Sequence, residues 1–325
     1  MRAYDQAVPR AARRSCCYLN EDQLVDAIRR LVEQPGNPAV LIGIGDDAAV
    51  WQPSRSHRSV ITTDTFVENV HFRRDRGPLE DAGRRAMAAS LSDVAAMGAR
   101  PVLATVALGL PAERAETDAL ALYRGIAEVA TASRCAIAGG DLTRAPSVAI
   151  SITIVGEVRS SNLKTRAGAR DGDVIAVTGA LGGARAGDFS AVPTPRIAEG
   201  RWLAASRHVH AMMDISDGLS TDLLRMCAQS KCGALIERIP LAENVPAAAA
   251  AAGEKPEDYA LGAGEDFELL IAASAGGFTY LAKRFEKRFG RRLERVGAMR
   301  AAPGLFMQSD GGEQELAATG WDHFS

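Results

Sequence analysis

Two successive series of short β-rich runs and helix-period segments, separated by a polar, glycine-rich stretch over 159–173, confine this chain to a two-domain mixed α/β architecture. In the first series, β-rich runs at 39–42, 48–51 and 59–63 are punctuated by Gly, Pro, Asp and Ser. A helix over 79–97 follows, with Met87, Leu91 and Val94 on one face and Asp93 beside that seam. A strand at 102–108, a long helix at 113–133 and strands at 135–138 and 148–155 complete this half. The second series opens with a strand at 174–178. It continues with helices around 181–188, 195–206 and 217–231 and strands near 235–239, 267–272 and 293–296, and the alanine tract 247–252 also reads as helix. The boundary is expected near residue 160, giving domains 20–160 and 161–325, and 325 residues suffice for two cores. Asn20 and Gln23 have the spacing of a capping box ahead of Leu24, Ile28, Leu31 and Val32, and Pro35-Gly36 ends that helix. Residues 1–19 carry several arginines but no apolar stretch of a secretory signal, and read as a disordered extension.

Charge narrows the partners. With 38 Lys and Arg against 40 Asp and Glu, the net charge of −2 leaves no basic excess to neutralise a nucleic-acid backbone or bind an anionic membrane. No uncharged apolar run approaches the ~20 residues of a membrane span. The five cysteines are an odd number without C-x-x-C spacing, which suits a reduced, cytoplasmic protein. A small-molecule substrate is the expectation.

Acidic residues recur in turns beside small and hydroxyl residues: Asp46-Asp47 after Gly45, Asp64 after Thr62-Thr63, Asp93 after Ser92, Asp141 after Gly139-Gly140, Asp214 and Asp217 around Ser216, and Glu265-Asp266 after Gly264. Any one alone reads as a turn former or helix cap. Together they are hard oxygen ligands suited to Mg²⁺, which prefers to share its shell with water and phosphates. A Walker A loop is absent, and none of the five lysines lies in a glycine loop. Gly43 to Ala48 fits G-x-G-x-x-A, but it would aim Asp46 and Asp47 at a pyrophosphate, which argues against a dinucleotide. His71 allows either a phosphate contact or a half-buried ring closing a strand. Trp321 allows either a surface tail residue or a stacking partner for a heterocycle. No hydrolase triad or histidine metal set is recognisable.

The series as a whole resembles the thiamine-monophosphate kinases. The matching stretches, in the family's order, are IGDDAAV from Ile44, TTDTFVENVHF ending at Phe72, SLSDVAAMGARP ending at Pro101, GGDLTR ending at Arg144, TRAGARDGD ending at Asp173, DISDGLSTDL from Asp214 and GAGEDFELL ending at Leu270, with a closing Gly320-Trp321. Asn69 stands where the family usually has Gly. The resemblance implies an α/β (α+β), two-domain PurM-like fold, with an N-terminal mixed sheet and helices forming the dimer interface and a C-terminal α/β domain. It implies several Mg²⁺ ions held by Asp47, Thr62, Thr63, Asp64, Asp93, Asp141, Asp214 and Asp217. ATP would contact Gly140, Asp141, Arg166 and Ser216, and thiamine phosphate would contact His71, Glu265 and Trp321. The implied reaction is direct in-line transfer of the ATP γ-phosphoryl group to thiamine phosphate by a homodimer, without a general base. Rival readings are the related AIR synthetases, selenophosphate synthetases and carbamoyl-dehydrating hydrogenase maturation proteins, and a non-catalytic sensor on the same fold. The distinguishing cysteines of the second and third are missing, and the metal-site carboxylates whose loss would mark a sensor are kept.

Overall fold

The computed structural model describes residues 21–32, 39–42, 44, 50–309 and 311–321. The expected extension over 1–19 and the expected ligand Asp47 lie outside the described residues. The N-terminal half runs through helix α1 (Glu21–Val32), the antiparallel pair β1 (Val40–Ile42) and β2 (Val50–Trp51), β3 (His57–Val67), α2 (Leu79–Ala96), β4 (Arg100–Leu110), α3 (Ala115–Ala132), β5 (Ala136–Arg144) and β6 (Ala149–Arg159). Four of these strands form a sheet in the order β3-β6-β4-β5. It is antiparallel except for β4 and β5, the pair that α3 connects. Period-2 alternation sends Val106, Ile152 and Ile154 to one face, where the expected seam of Met87, Leu91 and Val94 on α2 meets them in the first core. The two helices approach closely enough that a Cβ on Gly125 of α3 would lie 1.9 Å from the Glu80 carbonyl oxygen of α2.

The C-terminal half comprises β7 (Val174–Val177), α4 (Gly183–Ala186), α5 (Ile197–Ala204), β8 (Val209–Asp214), α6 (Leu219–Ser230), β9 (Gly233–Ile236), α7 (Val245–Ala252), α8 (Pro256–Leu261), β10 (Leu269–Ala273), α9 (Ala275–Phe289), β11 (Glu294–Arg300), β12 (Leu305–Ser309) and β13 (Gly312–Glu315). Its seven-stranded sheet has the order β13-β12-β9-β11-β7-β10-β8, and only β9 and β12 are parallel. One face carries a core of Ile175, Val177, Leu223, Met226 and Leu270. On the other face, Leu203, Met212, Leu269 and Phe285 pack with Ala95 and Ala96, so the end of α2 is shared between the halves.

Two differences from the sequence expectations bear on function. The helix expected over 181–188 is the single turn α4, entered through Gly182 at φ 83° and ended by Asp188 and Phe189 at φ 52° and 55°. Neither β8 nor α9 has a counterpart among the expected elements. In β8 every residue but His210 is buried, so no alternation marks it as a strand. No helix among the described residues is long and apolar enough to cross a membrane.

Candidate active site

Strand periodicity sorts the hydroxyl and acidic residues of β3. Thr62, Asp64 and Phe66 face α2, while Ile61, Thr63 and Thr65 face the other way. The Thr62 hydroxyl donates to Asp93 Oδ2 on α2. Thr63 instead accepts from the Thr153 hydroxyl at 3.0 Å, on the outer face. One turn of α2 thus presents Asp93 to β3 and Ser92 to the C-terminal half, where the Ser92 hydroxyl donates to Asp214 Oδ2 at 2.6 Å. Asp214 is the last residue of β8, so the shared helix brings acidic groups of both halves to one place.

The electrostatics of this cluster are those of carboxylates short of positive charge. Burial, and then the charge of Asp93, push the Asp64 carboxyl up to about 6. The same two causes push Asp214 up to about 7, with the Ser92 hydroxyl offsetting part of the shift. Asp93 is itself raised by burial, against the hydrogen bond from Thr62 and the charge of Arg166. Asp64 Oδ2 is buried with no hydrogen-bond partner. An orphaned carboxylate oxygen beside a second acid, Asp93, fits a hard divalent cation. Among the described residues no three acids, histidines or cysteines converge tightly enough to hold a metal by themselves.

The loop after β8 supplies the next layer. Backbone N–H groups of Ser216 and Asp217 both donate to Asp222 Oδ2 at 3.0 Å, fixing the turn into α6. Asp217 pairs with Arg225 at 2.5 Å. The Trp321 N–H donates to the Asp217 carbonyl at 3.1 Å, which seats the distant C-terminal tryptophan on this turn with its side chain 54% exposed. The Glu265 N–H donates to the Ser216 carbonyl at 2.8 Å. Glu265 and Phe267 both hold positive φ, at 62° and 50°, where residues with a Cβ are strained. His71 packs its ring 5.0 Å from Phe66 and accepts at Nδ1 from the Val67 N–H at 3.1 Å, which leaves Nε2 to carry the proton of the neutral ring. Asn69 takes φ 67°, the left-handed conformation that Gly adopts freely and Asn tolerates.

The expected residues fall into two groups. Thr62, Asp64, Asp93, Asp214 and, through its charge, Arg166 meet at the junction of the halves. Ser216, Asp217, Glu265 and Trp321 line the adjoining turns. Asp141 stands apart: in register it sits beside Ala107, Ser151 and Thr65, on the exposed face opposite Asp64. It is also three strand spacings away, about 14 Å. Gly140, one residue earlier, lies so close to β4 that a Cβ there would sit 1.9 Å from the Val106 carbonyl oxygen. Two further contributors are Ser92, which the motif reading named only as the residue before Asp93, and Arg85, which it did not name. The latter is buried and pairs with Glu265 Oε2 at 2.5 Å. Their seven-residue separation puts both on one face of α2, and two polar residues on a buried helical stripe are the signal that could have found them.

The AIR synthase related protein N-terminal domain matches residues 45–158, and the C-terminal domain of the same family matches residues 170–302. The thiamine-monophosphate kinase of Rhodopirellula baltica is 44% identical over 247 residues, covering 73% of this chain and 77% of that protein. The crystal structure of thiamine-monophosphate kinase from Stenotrophomonas maltophilia superposes with a TM-score of 0.78 at 32% identity, over 89% of this chain and 96% of that one. A structure of AaThiL complexed with AMPPCP and TMP superposes with a TM-score of 0.72 at 28% identity, covering 94% and 97%.

Proposed function

We propose, for a chain that belongs to the thiamine-monophosphate kinases, that it transfers the γ-phosphoryl group of ATP to thiamine phosphate, yielding thiamine diphosphate and ADP. The observation that carries this reading is that Asp93 on the shared helix acts by its charge on Asp64 of one half and on Asp214 of the other, with Asp64 Oδ2 buried and unsatisfied. Asp64, Asp93 and Asp214, with Asp217 beside them and Thr62 orienting Asp93, would hold Mg²⁺. Bound there, the cation supplies charge neutralisation for the phosphates of donor and acceptor. Asp47, Thr63 and Asp141 belong to the same proposed ligand set.

The chain's own residues do the rest. Arg166, whose charge reaches Asp93, and the turn at Ser216 would orient the nucleotide. His71 offers an Nε2 proton to the acceptor, Glu265 offers a carboxylate to its cationic ring, and Trp321 can stack on a heterocycle. The acceptor oxygen is ionised near neutral pH, so positioning and charge neutralisation replace a general base, and the transfer is direct and in line.

A homodimer belongs to this reading. The outer face of the N-terminal sheet exposes Ile61 at 70% beside the Thr63, Thr65, Ser151 and Thr153 hydroxyls, a surface suited to a second copy. Asp141 lies on that face, so pairing through it would bring Asp141 into a shared site. The domain boundary near residue 160 is supported by the two matched spans, and a cytoplasmic location by the buried thiols Cys135, Cys227 and Cys232.

The test is to incubate purified protein with ATP, Mg²⁺ and thiamine phosphate and follow thiamine diphosphate by chromatography, with Asp214→Asn as control. Mg²⁺-dependent product that falls at least about 100-fold in the variant is expected. ATP consumption only with an aminoimidazole precursor or selenide would replace the reading with a relative's activity. Binding without turnover would replace it with a sensor.

A further inference from the structure

One buried arginine connects the two residues proposed to hold thiamine phosphate. Arg85 lies in α2, 7% exposed, and its guanidinium donates to Glu265 Oε2 at 2.5 Å across 180 residues of chain. The same guanidinium sits 5.9 Å from the centre of the Phe66 ring, and Phe66 in turn packs against His71. Arg85 and His71 both line a cavity of about 190 Å³, with Phe72, Arg76 and Phe189 among its other walls. The contacts therefore run from His71 through Phe66 and Arg85 to Glu265, from the N-terminal sheet to the C-terminal loop.

Fold stability does not by itself account for such a pair. A buried ion pair is often matched or exceeded in stability by apolar residues of similar volume, because desolvating two charges offsets much of their attraction. What the pair does supply is geometry. Glu265 occupies a left-handed backbone conformation, which persists only where neighbours over-determine it. Its N–H is held by the Ser216 carbonyl, and Phe267, two residues on, is buried in the N-terminal core. The next residue, Asp266, is held by the Gly182 and Ala184 N–H groups at 2.6 and 3.1 Å. These contacts fix the main chain, while Arg85 is the partner of the carboxylate itself. A bidentate-capable, always-charged guanidinium fixes direction as well as charge, which an apolar filler would not.

We propose that Arg85 is a positioning residue for thiamine phosphate: its ion pair across the domain junction orients the Glu265 carboxylate relative to His71 for the cationic ring of the substrate. The inference rests on the thiamine-phosphate reading of the site. The hydrogen bond and ion pair of Arg85 go to Glu265, not to the acidic cluster or to the side chains proposed for the nucleotide, so its loss is expected to act on one substrate selectively.

The experiment compares wild type, Arg85→Gln, Arg85→Lys, Glu265→Gln and the Arg85→Gln/Glu265→Gln double variant by steady-state kinetics for each substrate, by calorimetric binding of thiamine phosphate and by thermal melting. Arg85→Gln is expected to raise KM and Kd for thiamine phosphate about tenfold or more, leaving KM for ATP within about twofold. The lysine variant, which keeps the charge but not the fork, should recover part of the loss. The double variant should be no worse than Glu265→Gln alone, because the arginine acts through the carboxylate. Equal rises in both KM values, a fall in melting temperature with unchanged thiamine phosphate binding, or multiplicative effects in the double variant would each overturn the proposal. If Arg85→Gln does not fold, the lysine variant carries the test, and unchanged selectivity there overturns it. Wild-type protein that neither binds nor turns over thiamine phosphate would remove the functional reading and this inference with it. Wild-type activity with an unaffected Arg85→Gln removes the inference alone.

Discussion

Asp93 carries a charge that both of its acidic neighbours would be more stable without, since it raises Asp64 and Asp214 alike. Asparagine at 93 keeps an oxygen to accept the Thr62 hydroxyl and removes that repulsion. Asp93→Asn is therefore expected to raise the melting temperature of the metal-free protein by a few degrees, on the order of 1 kcal/mol, while activity falls about 100-fold or more. Scanning calorimetry without metal, beside the coupled assay, checks both halves of the statement. A parallel expectation concerns pH. Folded values of about 6 and about 7 for Asp64 and Asp214 lie above the ordinary 3.8, so protonation favours the folded metal-free chain. The destabilisation from these acids sets in as pH rises past the ordinary value and is complete above about 7. Mg²⁺ needs the ionised forms, so its stabilising shift of the melting temperature should be larger near pH 8 than near pH 6. An equal shift at both would mean that these carboxylates are not its ligands.

Among the elements, α2 has the most to do, and its packing explains why. It covers the N-terminal sheet, meets α3 through glycine contacts, and shares Ala95 and Ala96 with the C-terminal core. Adding a methyl at Gly125 would drive it into the α2 backbone, so Gly125→Ala should destabilise by about 1–3 kcal/mol or more in urea unfolding. Gly276→Ala is the matched control: no atom lies within 4 Å of its Cβ, and alanine in a helix should be neutral or stabilising by up to about 1 kcal/mol. The seam of α2 was legible because Met87, Leu91 and Val94 recur at helical spacing. In α9, Phe278, Leu281, Phe285 and Phe289 recur in the same way, but two glycines at its start and a run of charged residues obscure the pattern. The short β8 offers no period, since burial on both faces removes the alternation that would identify it.

At the scale of the whole molecule, the site depends on surfaces that lie far apart in sequence. If two copies pair through the outer face of the N-terminal sheet, light scattering should give twice the chain mass. Ile61→Arg should then yield monomers with much reduced activity, because Asp141 could no longer join a shared site. A fully active monomer would sink the dimer reading. The amino-acid sequence by itself determined the two α/β series, the turn chemistry of the acidic motifs and the family to which they point, because periodicity and turn residues are local properties. Which of those residues meet was decided only by tertiary structure. Thr62 and Thr63 are neighbours in the chain, but the pleat sends them to opposite faces, and packing alone determines which face is covered. Arg85 and Glu265 are separated by most of the protein and meet because α2 spans both cores. Chain neighbours are separated and chain strangers joined by the same cause: burial of apolar surface selects one arrangement of elements, and the polar groups follow where it carries them.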